Sequence, residues 1–415
     1  MISPREFLKE LFHSAVSATL PENCLPTWLP TKPKGRVIII GAGKAAANMA
    51  MIIEKKWGDP LEGIVIVPYG YSESCKWVKV IEASHPMPDV AAVEATTKLI
   101  NAVSFLKKSD TVICLISGGG SSLMCHPVDG VSLAEKQKIT SSLLKSGAAI
   151  HEINCVRKKL SAIKGGKLAN ICKPASIITL IISDIPGNDI SMVASGPTVT
   201  DASTGNEALE ILDRYKIKIS EEIRAIIKSS KPINVDKSDV RVLATSDDAL
   251  IAASNFAIRH NIVPYSLGDL SGDARNLGIE HAYLATQIKL GNGPVLPPCV
   301  IISGGETTVK VRGNGCGGRN GEYALSLALK LNGQTNIRAL ACDTDGIDGN
   351  GNNAGCFISP STLLRAKSLG VSAEDLLNQN DSFNFFNTID DLIITGPTKT
   401  NVNDFRAILI GNYDD

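Results

Sequence analysis

Short runs of Val and Ile alternate along the chain with amphipathic stretches, and that alternation restricts it to an α/β architecture. The apolar runs are RVIIIGAGK, GIVIVPYG, DTVICLISGGG, ASIITLIISD, DVRVLATS, PCVIISGGE, IRALACDTD and DLIITGP, and most end in Gly, Ser or Asp. Hydrophobicity that is continuous rather than alternating marks strands covered on both faces, as in parallel sheets. Helical patterning lies between them in KAAANMAMIIEKK, VAAVEATTKLINAVSFLKK and ALIAASNFAIRH. At the N-terminus Ser3 is placed to cap a helix, with Pro4 at its first position and Glu6 completing a capping box. Phe7, Leu8, Leu11, Phe12, Ala15 and Val16 then share one face.

A chain of 415 residues is too long for one compact core. The polar stretch KSSKPINVDKSDV at 228–240 reads as a boundary, giving units 1–235 and 236–415. GNGPVLPP at 291–298 competes with it and would leave a C-terminal piece of one domain's size. Ile116–Gly120 is echoed by Ile302–Glu306, and Ser195–Thr198 by Thr395–Thr398. Two echoes are too few to establish duplication, but they point to strand-to-glycine loops of related purpose in both halves.

Lys+Arg and Asp+Glu are both 42, so no overall charge invites a polyanion. The densest basic stretch (Arg157, Lys158, Lys159, Lys164, Lys167) is broken by apolar residues and glycines, which argues against a nucleic-acid partner. Ten cysteines without CxxC spacing read as buried thiols in a reducing compartment. Six histidines without an HxH or HExxH pattern leave no recognisable zinc enzyme. Glu6, Lys9 and Glu10 interrupt any signal-peptide core, and no apolar run reaches membrane-spanning length. The expectation is a soluble, cytoplasmic protein.

In an open parallel sheet, ligands bind where strand C-termini meet helix N-termini, and glycines let backbone N–H groups approach an anion. Three loops have this form: Gly41–Lys44, Ser117–Ser122 and Ser303–Thr308. Gly165-Gly166-Lys167 and Gly317-Gly318-Arg319 add glycine pairs beside a cation. Gly41–Ala46 satisfies a loose GxGxxA dinucleotide fingerprint, but GIVIVPYG ends in Pro68-Tyr69 without an acid to hold a ribose. GxxxxGK[ST] is absent, which excludes a P-loop enzyme. Carboxylates follow two strands, in Ser183–Asp189 and Asp343–Gly349, where Mg²⁺ shared with substrate phosphates would sit. The second segment partly imitates a calcium loop but lacks its closing Glu; Asx-turns with solvated acids are the alternative for both. Lys44 opens a helix against the local dipole, which an anionic ligand explains and a solvated helix start also permits. Arg319 is either a ligand cation or the partner of an acid such as Glu322.

Taken together, GAGKAA, SHPMPD, ISGGGSSL, RKKLSAIKGGKLA, SDIPGNDISMVASGPTVTD, ISGGETTV, GGRN, ACDTDGIDG and TGPTKTNVNDF resemble the glycerate 2-kinase family, whose C-terminal part is called the MOFRL domain. They run in the family's order from about residue 37 to 406. Gly321 stands where the family pattern has Gln, and Lys399 where it has Gly. The resemblance implies a Rossmann-like N-terminal α/β domain, a smaller α/β C-terminal domain with the MOFRL region at about 298–410, and an active site in the cleft between them. It also implies ATP, Mg²⁺ and glycerate as small-molecule partners, with 2-phosphoglycerate as product; a homo-oligomer is compatible with it. Carried over residue by residue, Lys44 and Arg319 become the catalytic cations. Gly43, Ser117, Gly118, Gly119, Gly120, Ser121, Ser122, Lys164, Ser303, Gly304, Gly305, Glu306 and Thr307 become phosphate or substrate contacts. Asp184, Asp189, Asp343 and Asp345 are assigned to metal by physical analogy. The competing readings are an NAD(P)H-dependent hydroxypyruvate reductase, disfavoured by the missing ribose acid, and a non-catalytic nucleotide or sugar-acid sensor.

Overall fold

The computed structural model describes residues 2–412 except 186, 188 and 237. Pro186 and Asn188 of the SDIPGND segment, and Lys237 of the expected linker, therefore lie outside the described residues. By its contacts the chain divides into Pro21–Leu243 and a second unit in which Met1–Leu20 joins Ala244–Asp415. Each unit holds a six-stranded sheet.

The first sheet contains β1 (Val37–Ala42), β2 (Glu62–Pro68), β3 (Lys79–Ala83), β4 (Thr111–Ile116), β5 (Ser176–Ile182) and β6 (Asp239–Ala244). Their order is β3-β2-β1-β4-β5-β6, and the pairings from β3 through β5 are all parallel. This is the doubly wound Rossmann order. β1 and β4 are buried at every position, which is why their sequences are unbroken apolar runs. Ile38, Ile40, Val112, Cys114 and Ile116 form its core with Leu99 and Leu168 from the covering helices. β3 escaped the sequence reading because KVIEA is an edge strand, half-buried over most of its length.

The second unit contains β7 (Val263–Asp269), β8 (Gly272–Asp273), β9 (Cys299–Gly304), β10 (Thr307–Thr308), β11 (Ile337–Asp343), β12 (Gly355–Ile358), β13 (Leu392–Ile393) and β14 (Asp404–Ile410). The six-stranded sheet runs β13-β12-β11-β14-β9-β7, with β8 and β10 paired separately. β14 lies antiparallel to both β11 and β9, and β12 antiparallel to β11, whereas β7 and β9 are parallel. The expectation of parallel strands therefore holds from β3 through β5 in the first unit, whereas this sheet is mixed. Continuous apolar character reports burial on both faces, not strand direction, and β14 is buried throughout although antiparallel. The ISGG echo consequently ends strands in sheets of different topology and remains a local likeness.

The N-terminal helix spans Pro4–Thr19, and Ser3 Oγ accepts the Glu6 N–H at 3.2 Å. All six residues expected on its apolar face are buried. Phe7 packs on Phe256 of the helix Ser246–Arg259, with ring centroids 5.5 Å apart, and Phe12 on Phe405 of β14, at 5.8 Å. These partners place the first twenty residues in the second unit, whereas the sequence reading kept 1–235 together; the change of unit falls at 243/244. No helix among the described residues is long and apolar enough to cross a membrane.

In the first unit a second core gathers Leu143, Val156, Leu160, Leu212 and Ile227 from four helices. Beside it Asp201 accepts Lys159 Nζ at 2.8 Å and Lys158 Nζ at 3.4 Å, both lysines being buried. Burial alone would raise the Asp201 carboxyl, but the bonds from Lys159 and Ser203 and the Lys158 charge outweigh it and hold its pKa below the usual value. Asp201→Ala leaves two buried ammonium groups uncompensated and is expected to cost about 3–5 kcal/mol of stability at pH 7. Because the folded pKa is depressed, the carboxylate's contribution is complete above the unfolded value, near pH 4, and is lost as pH falls through the folded value. Denaturant unfolding of both proteins at pH 7 and pH 3 checks this: the gap between them should shrink in acid.

Candidate active site

In the first sheet the order of winding reverses between β1 and β4, the switch point at which open α/β sheets take their ligands. Gly43, at φ +138°, lies so close to the β4 loop that an added Cβ would stand 2.2 Å from Ser117 Oγ. The Lys44 N–H donates to Gly118 O at 2.9 Å and the Ala45 N–H to Ser117 Oγ at 3.0 Å. These bonds clamp one loop to the other and fix where the half-buried Lys44 leaves the backbone, just ahead of the helix Ala46–Trp57. Beyond the clamp Gly119 turns at φ +83°. Among the described residues, the N–H groups of Gly118 and Gly119 find no acceptor. Adjacent open amides at a strand end are an anion cradle.

The serines of this loop divide their work. Ser117 holds Ala45, Ser122 Oγ meets His85 Nδ1 at 2.8 Å, and Ser121 Oγ meets Ser195 Oγ at 2.9 Å. Lys164 lies beneath them, 1% exposed, with Nζ bonded to Ser121 O and Oγ, Met124 O and Ala194 O at 2.7–3.4 Å. Burial, followed by the nearby charges of Arg157 and Lys136, pushes its pKa well below the ordinary lysine value. It supports the loop from inside. His85, in SHPMPD, was given no role by the sequence; only the tertiary contact with Ser122 reveals it.

In the second unit Arg319 opens the helix Arg319–Leu331 and donates to Glu306, to Asp343 Oδ2 at 2.9 Å, and pairs with Asp404 Oδ1 at 3.2 Å. Burial opposes its charge, but Asp404, Asp343 and Glu306 outweigh that and raise its pKa above the ordinary arginine value. Glu322, the partner considered from sequence, instead binds Arg275 and Asn380. Asp404 is the hub: Arg406 NH2 reaches its Oδ2 at 2.6 Å, and Asn320 Nδ2 its Oδ1 at 2.8 Å. Arg406 also holds Gly304 O at 2.7 Å, tying the SGGE loop to the same carboxylate. Asp348 closes the arrangement from below, its two oxygens accepting the N–H groups of Asn320 (3.0 Å) and Gly321 (2.8 Å) at the helix start.

Both departures from the family pattern fit this geometry. A Cβ at Gly321 would meet Ser382 Oγ at 2.4 Å, and Lys399 keeps the left-handed backbone, φ +68°, that a glycine adopts without strain. Asp404 and Asp348 carried no assignment in the sequence reading, because their partners are brought together only by folding.

Among the described residues no three His, Cys, Asp or Glu side chains are grouped to hold a metal ion. Asp189 Oδ1 accepts the Ser191 N–H at 2.9 Å in an Asx-turn, and Asp184 follows β5, half-buried. Asp343 Oδ1 accepts the Asp345 N–H at 3.0 Å, and Asp345 Oδ1 the Ile347 N–H at 2.8 Å. Mg²⁺ commonly takes one or two protein carboxylates beside phosphate oxygens, and Asp343 with Asp345 fits that smaller donor set.

A Rossmann-order sheet with open amides and a lysine at its switch point makes this an α/β protein with a ready anion cradle. Two family models match the chain: DUF4147, described as a domain of unknown function, over residues 7–228, and the MOFRL family over residues 299–404. A D-glycerate 2-kinase from Thermotoga maritima is 38% identical over 99% of this chain and 100% of its own length. A crystal structure of glycerate kinase from the same organism superimposes with a TM-score of 0.90 at 37% identity, covering 98% and 99% of the two chains. An Agrobacterium vitis protein that carries a provisional hydroxypyruvate reductase name is 43% identical over 99% of this chain and 95% of its own. The chain belongs to the glycerate 2-kinase family with a MOFRL domain.

Burial raises the Asp348 carboxyl to about 6, against the pull of the Asn320 and Gly321 amides and with the Asp404 charge adding to it. The unfolded chain loses this proton near pH 4, so the group's contribution to stability is greatest below that value and falls as pH rises through about 6. A ¹³C-carboxyl titration should give a midpoint near 6 for a resonance missing in Asp348→Asn; a midpoint near 4 would contradict the burial argument.

Proposed function

We infer that the chain transfers the γ-phosphoryl group of ATP to D-glycerate, giving 2-phosphoglycerate and ADP, with Mg²⁺ accompanying the nucleotide. The observation that carries this reading is the β1–β4 switch point: open amides at Gly118 and Gly119 beside Lys44, with β2 ending in Pro68 rather than an acid. Amides and a lysine suit phosphate oxygens, and a nicotinamide dinucleotide would need a free carboxylate for its ribose. The nearest acid on the adjoining strand, Glu82, already accepts the Gly70 N–H at 2.8 Å. Full-length likeness to the Thermotoga maritima D-glycerate 2-kinase supports the same choice.

Phosphoryl transfer asks a protein mainly for positioning and charge neutralisation. Lys44 supplies a positive charge from a backbone position that the Lys44 and Ala45 amide bonds fix beside the open amides, where phosphoryl oxygens would lie. Arg319 NH2 meets both Asp343 and Asp404 while NH1 meets Glu306, so the guanidinium is anchored at both terminal nitrogens before any ligand arrives. Mg²⁺, held by Asp343 and Asp345, would neutralise charge on the phosphates.

D-glycerate with ATP and Mg²⁺ should release ADP, and hydroxypyruvate should not oxidise NADH; the reverse result would establish the reductase. Lys44→Met is expected to lower kcat by about 10²–10³ with a smaller change in KM. Arg319→Lys keeps the charge, loses the planar fork, and should be clearly but less impaired. Circular dichroism should find both folded. Near-normal kcat in Lys44→Met would sink the role given to that residue.

A further inference from the structure

The basic stretch at 157–167 is largely an interior feature. Lys158 and Lys159 meet Asp201, Lys167 donates to Lys158 O and Ser161 O, and Lys164 is engaged beneath the SGGGSS loop. Arg157 is different: among the described residues it makes no ion pair and no side-chain hydrogen bond. A second such cation adjoins it. Lys136, near the start of the helix Leu133–Lys145, is 4% exposed, and its Nζ has no hydrogen-bond partner among the described residues. Burial and then the charge of Arg157 lower the Lys136 pKa, and burial lowers that of Arg157; for both, the group favouring the charge is the Cys125 thiol. Arg157 is half-buried, on the helix Ile150–Lys159, which packs against the helix of Lys136.

These two cations adjoin the candidate site. Asn154 lies one turn before Arg157 on the same face of the helix Ile150–Lys159. Its Oδ1 accepts Ser195 Oγ at 3.1 Å, and Ser195 Oγ lies 2.9 Å from Ser121 Oγ of the glycine loop. Ala194 and Ser195 are held there at φ +50° and +62°, a conformation non-glycine residues seldom adopt.

Two neighbouring cations with no carboxylate between them are costly to bury, and Leu or Met would fill the Lys136 position without that cost. A bound anion removes the conflict. We propose that Lys136 and Arg157 are the seat of the acceptor's carboxylate: D-glycerate docks by its carboxylate against these two cations, its hydroxyl-bearing end toward the Ser117–Ser122 loop. This assignment rests on the kinase reading. The guanidinium fork matches a planar carboxylate, while the open amides at the switch point are left for nucleotide phosphate.

The test compares wild-type enzyme with Lys136→Met and Arg157→Gln. D-glycerate binding is followed by calorimetry without nucleotide, with glycerol and inorganic phosphate as control ligands, and by steady-state kinetics. In the variants, KM and Kd for D-glycerate should rise roughly 10- to 100-fold, the loss of one charge-assisted contact, while KM for ATP stays unchanged. Glycerol, which lacks the carboxylate, should not bind the wild type measurably, and phosphate should not compete with D-glycerate. Without ligand, Lys136→Met should melt at a higher temperature than the wild type, because an unpaired buried charge is gone; a merely structural lysine would give the opposite sign. Unchanged glycerate KM in a folded, active variant overturns the seat and leaves the kinase reading intact. Competition by phosphate that both variants abolish also overturns it, making the two cations a phosphate site. A wild type that binds D-glycerate through these residues but releases no ADP refutes the kinase reading alone.

Discussion

The larger unit turns on one close approach, Gly43 against Ser117. β1 and β4 pair side by side, and the loops that leave them interlock through the Lys44 and Ala45 amides. The absence of a side chain at residue 43 permits the contact, and the Ser117 hydroxyl completes it. Everything with chemical character in this unit is referenced to that junction: the direction in which Lys44 departs, the open amides that follow, and Ser121 with its link to Asn154.

The second unit solves a similar positioning problem by ionic means. Asp404, fully buried, bridges Arg319 and Arg406, and through Arg406 and Asn320 it fixes a strand-end carbonyl and a helix start at once. Acids outnumber cations around Arg319, whereas around Arg157 and Lys136 cations face only a thiol. The chain's overall neutrality therefore conceals two local imbalances of opposite sign.

Much of this was legible in the sequence, and the reasons are specific. β1, β2, β4 and β5 stand out because both faces of those strands are covered, so nearly every residue is Val, Ile or Leu. β14 was overlooked because Asp404 and Arg406 break its apolar run, and they are polar because that end of the strand is the ionic hub. β12, only four residues long, gives too brief a signal. Lys44 and Arg319 could be singled out because each sits beside glycines at a helix start, a local pattern. Asp348, His85, Lys136 and Arg157 could not, since their significance depends on neighbours far along the chain. The placement of residues 1–20 was illegible for the same reason: an amphipathic helix declares which face it buries but not against what.

That placement has a consequence for how the chain comes into being. With both ends in one unit, Pro21–Leu243 is topologically an insertion within it. During synthesis the first helix emerges long before its partners Phe256 and Phe405, so its apolar face must wait while the inserted unit completes its own sheet. A fragment beginning at residue 244 would present those aromatic surfaces to water, and adding the helix back as a separate peptide would offer it a ready-made groove. Linking the present termini and opening the chain between the two units would make the helix contiguous with β14, turning a long-range assembly step into a local one.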